Sequence, residues 1–248
     1  MSQEKLKDSY IDISDNFDIA WKIFLSNRQE LLWLLLVINV PLAIISEFIP
    51  QPSAEAQSSA TLFYSAMFAI ISGILGILLN LAIAMITEKT VLGEEITAQS
   101  ALKQGIPKIL IAFVMGILLF IMLTIGYILL IVPGIYLSII FAFFMQAIAL
   151  RNCKFRAFSY SQNLVKGQFW RVFGRLLLLG IALFLLSLAL IIPQTFLSIL
   201  LLPVPILKSA LAISLNAIFG LINYLFIITL TVYFLNLDYL KNGLPRRA

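Results

Sequence analysis

Six apolar runs, separated by short polar or charged segments, divide this chain at about 31–48, 61–87, 109–132, 135–150, 176–192 and 210–237. A helix of roughly 20 apolar residues spans the roughly 30 Å hydrocarbon slab of a bilayer. The pattern therefore predicts an all-α, polytopic membrane protein with six transmembrane helices in a single transmembrane domain, residues 1–248. Three stretches, Asp12 to Glu30, Glu94 to Lys108 and Lys154 to Arg175, each precede an apolar hairpin. They form a coarse repeat: three hairpins, each fed by a short amphipathic or basic surface segment.

In residues 1–30, the predicted cytoplasmic amphipathic segment, Phe17, Ala20, Trp21, Phe24 and Leu25 fall on one helical face. Ser14 is the expected N-cap, with Asp15 and Asp18 in the first turn. The helix lies either in the membrane interface or packed on cytosolic loops, and periodicity does not separate the two. Polar residues run to 28, so a secretory signal does not fit and the N-terminus is expected to be retained. Pro41 bends or loosens the first span. In the second, Ser72, Gly76, Asn80 and Ala84, with Ala69 and Gly73, predict a close helix contact through small residues. Pro133-Gly134 is expected to turn the third span, Ile109 to Val132, into the fourth. Residues 190–208, with Pro193, Pro203 and Pro205, are either a kinked helical extension or a partly embedded loop, and 238–248 form a tail.

Composition strengthens the membrane reading. Of 248 residues 61% are apolar and 12% charged, with mean hydropathy +1.03, against roughly 45–50% and 25% in soluble domains. One cysteine, Cys153, precludes an internal disulfide framework, and the absence of histidine removes the commonest metal ligand and general base. With no paired carboxylates or nucleophile–base spacing either, no catalytic, cofactor or metal residue is assigned. Of 17 Lys and Arg, only Lys208 falls opposite the N-terminal side of a six-span arrangement. The positive-inside rule then places both termini in the cytoplasm.

The segment Arg151 to Arg175 holds Arg151, Lys154, Arg156, Lys166, Arg171 and Arg175, interleaved with aromatics including Trp170, and no acid. Beside a membrane these cations with Trp170 form a candidate surface for anionic lipid headgroups or a membrane protein partner. Single-stranded nucleic acid, which such a composition also binds, is not expected. Among the polar residues of the spans, Asn39, Asn80, Gln146, Gln194, Asn216, Asn223 and Asn236, the candidates for intramembrane contacts are Asn80, Asn216 and Asn223. Only Glu47 and Lys208 bring charge near the slab, both at the outer rim, and Cys153 is expected to be inert in a reducing cytoplasm. These features suit a non-enzymatic accessory protein that organises lipid or a partner. The alternative is a transporter or channel for a neutral or lipidic solute, and an intramembrane lipid enzyme is disfavoured. Oligomeric state is left open.

The run Ile131-Val132-Pro133-Gly134-Ile135-Tyr136-Leu137 is followed by Ala157-Phe158-Ser159-Tyr160-Ser161-x2-Leu164-Val165-Lys166-Gly167-x-Phe169-Trp170-Arg171. This pattern resembles the YciC-like inner-membrane proteins of bacteria, and more loosely the membrane domain of some glycerophosphoryl diester phosphodiesterases. The resemblance implies a bacterial cytoplasmic-membrane protein of uncharacterised activity. Phosphodiesterase activity is not implied, because it belongs to a separate soluble barrel whose metal-binding acids and histidine are missing here.

Overall fold

A computed structural model describes residues 6, 9–49, 59–200 and 204–243. Residues 50–58, Pro203, Lys5, Lys7, Arg246 and Arg247 lie outside the described residues. The described residues are mostly helical, and no strand occurs among them. Its elements are α1 (Ile13–Ser26), α2 (Arg28–Phe48), α3 (Ser59–Val91), α4 (Ala98–Gly105), α5 (Ile109–Leu129), α6 (Ile131–Ile140), α7 (Phe144–Arg151), α8 (Ala157–Val165), α9 (Phe169–Leu200) and α10 (Pro205–Asn242). Six stretches are long and apolar enough to cross a membrane: α2, α3, α4 with α5, α6 with α7, α9 and α10. The protein is thus an all-α polytopic membrane protein.

Three of these helices are too long to be spans alone. At 1.5 Å per residue, α3 with 33 residues, α9 with 32 and α10 with 38 reach about 48 to 57 Å, well beyond the roughly 30 Å of hydrocarbon. The surplus of α3 and of α10 lies at one end, where both helices are buried in protein. Leu78, Leu81, Ile83, Ile86 and Val91 of α3 are buried, as are Tyr224, Val232, Tyr233, Phe234 and Leu237 of α10. Toward the other end α9 and the first half of α10 expose large apolar side chains such as Phe184, Phe196 and Leu207, the surface a bilayer covers. Helix α10 is the axis of the bundle, with α1, α2, α3, α8 and α9 against it.

The N-terminal segment closes this end. Asn236, fully buried on α10, donates to the carbonyls of Leu6 (3.0 Å) and Ser9 (2.9 Å) and accepts from the Ile11 amide (3.3 Å). Helix α1 then starts two residues earlier than expected. Its cap is Asp12, whose carboxylate accepts from Ile13 at 2.8 Å, rather than Ser14, because a carboxylate at that position already satisfies an orphan amide of the first turn. Helix α1 packs on a span and keeps an exposed aromatic edge. Ile19, Ala20 and Ile23 are buried, facing α10, while Phe17, Trp21 and Phe24 stack in a row at 6.4 and 5.7 Å, with Phe17 and Trp21 exposed.

Three local expectations change. The turn between α5 and α6 falls on Leu130, which is extended (φ −162°, ψ 146°), and Pro133-Gly134 lies within the first turn of α6. Proline costs nothing there, because amides at a helix start have no intrahelical partner. Gly134 instead makes room: a Cβ on it would come within 2.5–2.7 Å of the Tyr127 ring, and one on Gly126 would sit 3.1 Å from the Gly134 Cα. The α5–α6 hairpin is therefore closed by glycine on glycine. The small face of α3 is packed only at its lower end: Ala84 is fully buried, whereas nothing lies within 4 Å of a Cβ at Gly73 or Gly76; α3 packs through Leu78 to Val91. Pro193 does not end the fifth span. Helix α9 runs through it to Leu200, and α10 restarts at Pro205, so 190–200 is a helical extension. In α2 a π turn at Leu35–Asn39 immediately precedes Pro41, accommodating the hydrogen bond that proline cannot make.

The fourth crossing is broken at Phe141 to Phe143, between α6 and α7. Ser161 of α8, itself fully buried, repairs the break: its hydroxyl donates to the Ile140 carbonyl (2.8 Å) and accepts from the Phe143 amide (3.1 Å). A side chain from another helix thus satisfies backbone groups that lipid would leave orphaned.

Replacing Gly134 by Ala is expected to cost about 1–3 kcal/mol by overpacking against Tyr127. Gly76→Ala, with open space around it, is expected to change stability by less than about 0.5 kcal/mol. Unfolding of the purified variants in detergent micelles measures both, and Tyr127→Ala added to Gly134→Ala should recover most of the loss.

Candidate functional site

The packed end contains an ionic centre assembled from three crossings. Glu88 comes from α3, where the helix leaves its lipid-facing part; Arg151 ends α7; Asp238 lies in the last two turns of α10. The Arg151 Nη1 donates to Glu88 Oε1 at 2.6 Å, and its Nε donates to Asp238 Oδ2 at 2.6 Å, with Nη2 equally close to that oxygen. Arg151 and Glu88 side chains are 15% and 12% exposed and Asp238 only 1%, so each charge depends on the others for compensation. Tyr160 of α8 donates to the second Asp238 oxygen, and the Asn242 amide reaches the same oxygen at 2.8 Å. Lys108, at the foot of α5, donates to the Ala149 carbonyl of α7. Burial, together with the hydrogen bond to Asp238, pushes the Tyr160 hydroxyl well above the usual tyrosine range, so it stays a donor. Burial likewise pushes the Cys153 thiol up, which suppresses the thiolate.

This corrects the expected role of Arg151. It is an internal strut, because its largely buried guanidinium is already paired with Glu88 and Asp238. Arg175 is also held inside: its guanidinium donates to the Ile11 carbonyl and sits 4.7 Å over the Tyr233 ring. Lys154, Arg156, Lys166 and Arg171 are exposed, as is Trp170 at 78%, and Arg171 lies 4.1 Å over the Tyr10 ring.

The ionic centre positions α8, and α8 builds a cationic cleft at this end. Pinned by Ser161 and Tyr160, α8 ends at Val165; Gly167, with φ +87°, turns the chain into α9, a conformation that suits glycine. The last carbonyls of α8 do not go unpaired: Lys241 donates to those of Asn163 and Lys166, both at 2.7 Å, as a cation at a helix C-terminus should. Between this turn and α6 opens a cleft of about 390 Å³. Lys166, Gln162 and Asn163 supply its polar wall, and Tyr136, Ile140 and Phe169 its apolar wall, with the Tyr136 and Phe169 rings 5.3 Å apart. No acid lines it. A larger cleft of about 510 Å³ at the α1–α2 and α3–α4 junctions is the opposite in character, lined by Glu30, Glu94 and Glu95. Glu30 is committed there to the Ala98 amide at the start of α4, and Lys89 pairs with Glu94 at 2.6 Å.

The intramembrane asparagines are not brought together. Asn80 is half-buried with its side-chain oxygen unpaired, while Asn216 and Asn223 are exposed on α10. The polar contact that does form uses Asn39, in the π turn of α2, which accepts from the Tyr224 hydroxyl at 2.7 Å where Gly220 lets α10 come close. Gln146 is buried with neither amide atom paired. Glu47 and Lys208 do not pair with each other in the described contacts; Glu47 accepts from Ser209 at 3.1 Å. No group of three or more acidic, histidine or cysteine side chains that could hold a metal occurs among the described residues.

Comparison with family models, with curated proteins and with solved structures finds no match to this chain.

Replacing Arg151 by Met is expected to destabilise the protein by about 3–5 kcal/mol, since Glu88 and Asp238 are left buried without a counter-charge. Adding Glu88→Gln and Asp238→Asn should restore much of it. Reversible unfolding in micelles of the single and triple variants tests this, and equal stability of the two would refute a charge-compensation role.

Proposed function

We propose that this protein is a non-enzymatic accessory protein of the bacterial cytoplasmic membrane that holds anionic phospholipid headgroups at its basic end and so organises nearby lipid or a partner membrane protein. The observation that carries this reading is the acid-free cleft between α6 and the α8–α9 turn. Its Lys166 ammonium and the Gln162 and Asn163 amides offer donors to a phosphate, and Tyr136, Ile140 and Phe169 offer an apolar wall to the glycerol and upper acyl chain. A volume of about 390 Å³ falls within the roughly 300–1,000 Å³ of ordinary small-ligand sites. Lys154, Arg156, Arg171 and Trp170, exposed on the same segment, extend the attraction over the surrounding headgroups. Each cation near an anionic leaflet contributes about 1 kcal/mol.

With both termini on the cytoplasmic side, the excess of Lys and Arg at this end agrees with the positive-inside rule. The resemblance to the YciC-like group supports the bacterial placement. A transporter would use Asn80, Asn216 and Asn223 along one path, and their separate placement speaks against it.

The test is native mass spectrometry of the full chain released from nanodiscs of mixed phosphatidylcholine and phosphatidylglycerol. Wild-type protein is expected to retain phosphatidylglycerol selectively. The combined variant Lys154→Gln, Arg156→Gln, Lys166→Gln and Arg171→Gln should lose that selectivity at least tenfold while unfolding at an unchanged temperature. Equal retention by the two proteins would sink the proposal.

A further inference from the structure

We infer that the protein self-associates in the membrane as a two-fold dimer through the strip of α10 that carries Asn216 and Asn223. The two residues are seven apart and so lie within about 20° of one another around the helix. Both are exposed, and neither makes a hydrogen bond among the described residues. They sit in the lipid-facing half of α10, in which the exposed neighbours Leu207 and Ile218 are apolar.

Beside them, Asn39 pairs with Tyr224, and Gly220, between the two asparagines in sequence, packs on Leu35 and Asn39. The two carboxamides beside that contact strip are left to whatever covers the helix from outside. Hydrocarbon offers an amide neither a donor nor an acceptor, so an amide there seeks another polar side chain. A carboxamide is its own complement, carrying one carbonyl acceptor and an NH₂ donor. Two copies inserted with the same topology are related by an axis along the membrane normal, which sets each residue against its own counterpart at equal depth. Asn216 then meets Asn216 of the second copy, and Asn223 meets Asn223, two turns apart along one parallel helix pair. The second copy is the occupant that supplies amides at both depths at once.

The inference does not depend on the headgroup reading, and its readout is separate. In a Cys153→Ser background, single variants Asn216→Cys, Asn223→Cys and Ile218→Cys are oxidised in native membranes. Homotypic cross-linking is expected at 216 and 223 and at most a tenth as much at 218, which is exposed on a different strip. Association of the labelled full chain is then followed by energy transfer during dilution in vesicles. Asn216→Leu with Asn223→Leu should weaken it at least tenfold, and Asn216→Gln with Asn223→Gln, which keeps the amides, should recover most of it. A wild-type monomer throughout the dilution, cross-linking equal at all three positions, or unchanged association of the Leu variant would each overturn the dimer. So would a polar solute bound to a monomer and lost on the Leu substitutions.

Discussion

Everything at the packed end depends on one guanidinium. Arg151 reaches Glu88 and Asp238, residues 63 and 87 positions away in sequence, each at 2.6 Å. In doing so it joins the second, fourth and sixth crossings at a depth where little water competes. The desolvation of three charges is expensive, and such a cluster is not by itself a gain over apolar packing. What it provides is geometry: an arginine fork fixes the angle and the register of its partners as a methyl contact does not. Tyr160 then hangs α8 on the same Asp238, and Ser161 locks α8 into the broken fourth crossing. The cleft at the α8–α9 turn inherits its shape from this chain of attachments.

The molecule is accordingly asymmetric along its long axis. One end has a protein-like interior with polar side chains paired across helices. The other is a looser fan, in which α9 and the start of α10 rely on surrounding lipid for contact. A single helix, α10, passes from one regime to the other, and its residues change with it. Isoleucine and leucine dominate the exposed half, whereas Thr229, Thr231, Tyr233, Asn236 and Asp238 are buried in the second.

The class and the six crossings were legible in the sequence because apolar run length reports directly on hydrocarbon thickness. The ionic centre was not. Arg151 stands first in a run of cations, and counting it with the others hid its isolation from them. The usable signal was the pair of acids at the inner ends of two different spans, Glu88 and Asp238, each following an apolar run closely enough to be drawn inside. Pro133-Gly134 misled for a similar reason. Turn-forming residues also suit the first turn of a helix and close helix contact, and only the position of Tyr127 decides between these uses. The basic surface was read in outline: Lys154, Arg156, Lys166, Trp170 and Arg171 are at the surface, but no spacing announces that Arg175 will point back to Ile11. The asparagine set failed as a group because residue type gives depth but not direction around a helix.

The attachment of the first residues to Asn236 has a consequence for synthesis. Leu6 and Ile11 are 230 and 225 positions from the side chain that receives them. Contacts of that separation are the slowest to form, and in a chain made from its N-terminus they wait on the last helix. The segment from Leu6 to Ile11 is therefore synthesised long before α10 and seated only after it. Until α10 is inserted, the apolar face of α1, with Ile19 and Ile23, has no helix to rest on and must be held by the bilayer surface or by a chaperone. Before α10 is in place, the chain is a hairpin array with an unsecured amphipathic arm, and α10 is the clasp.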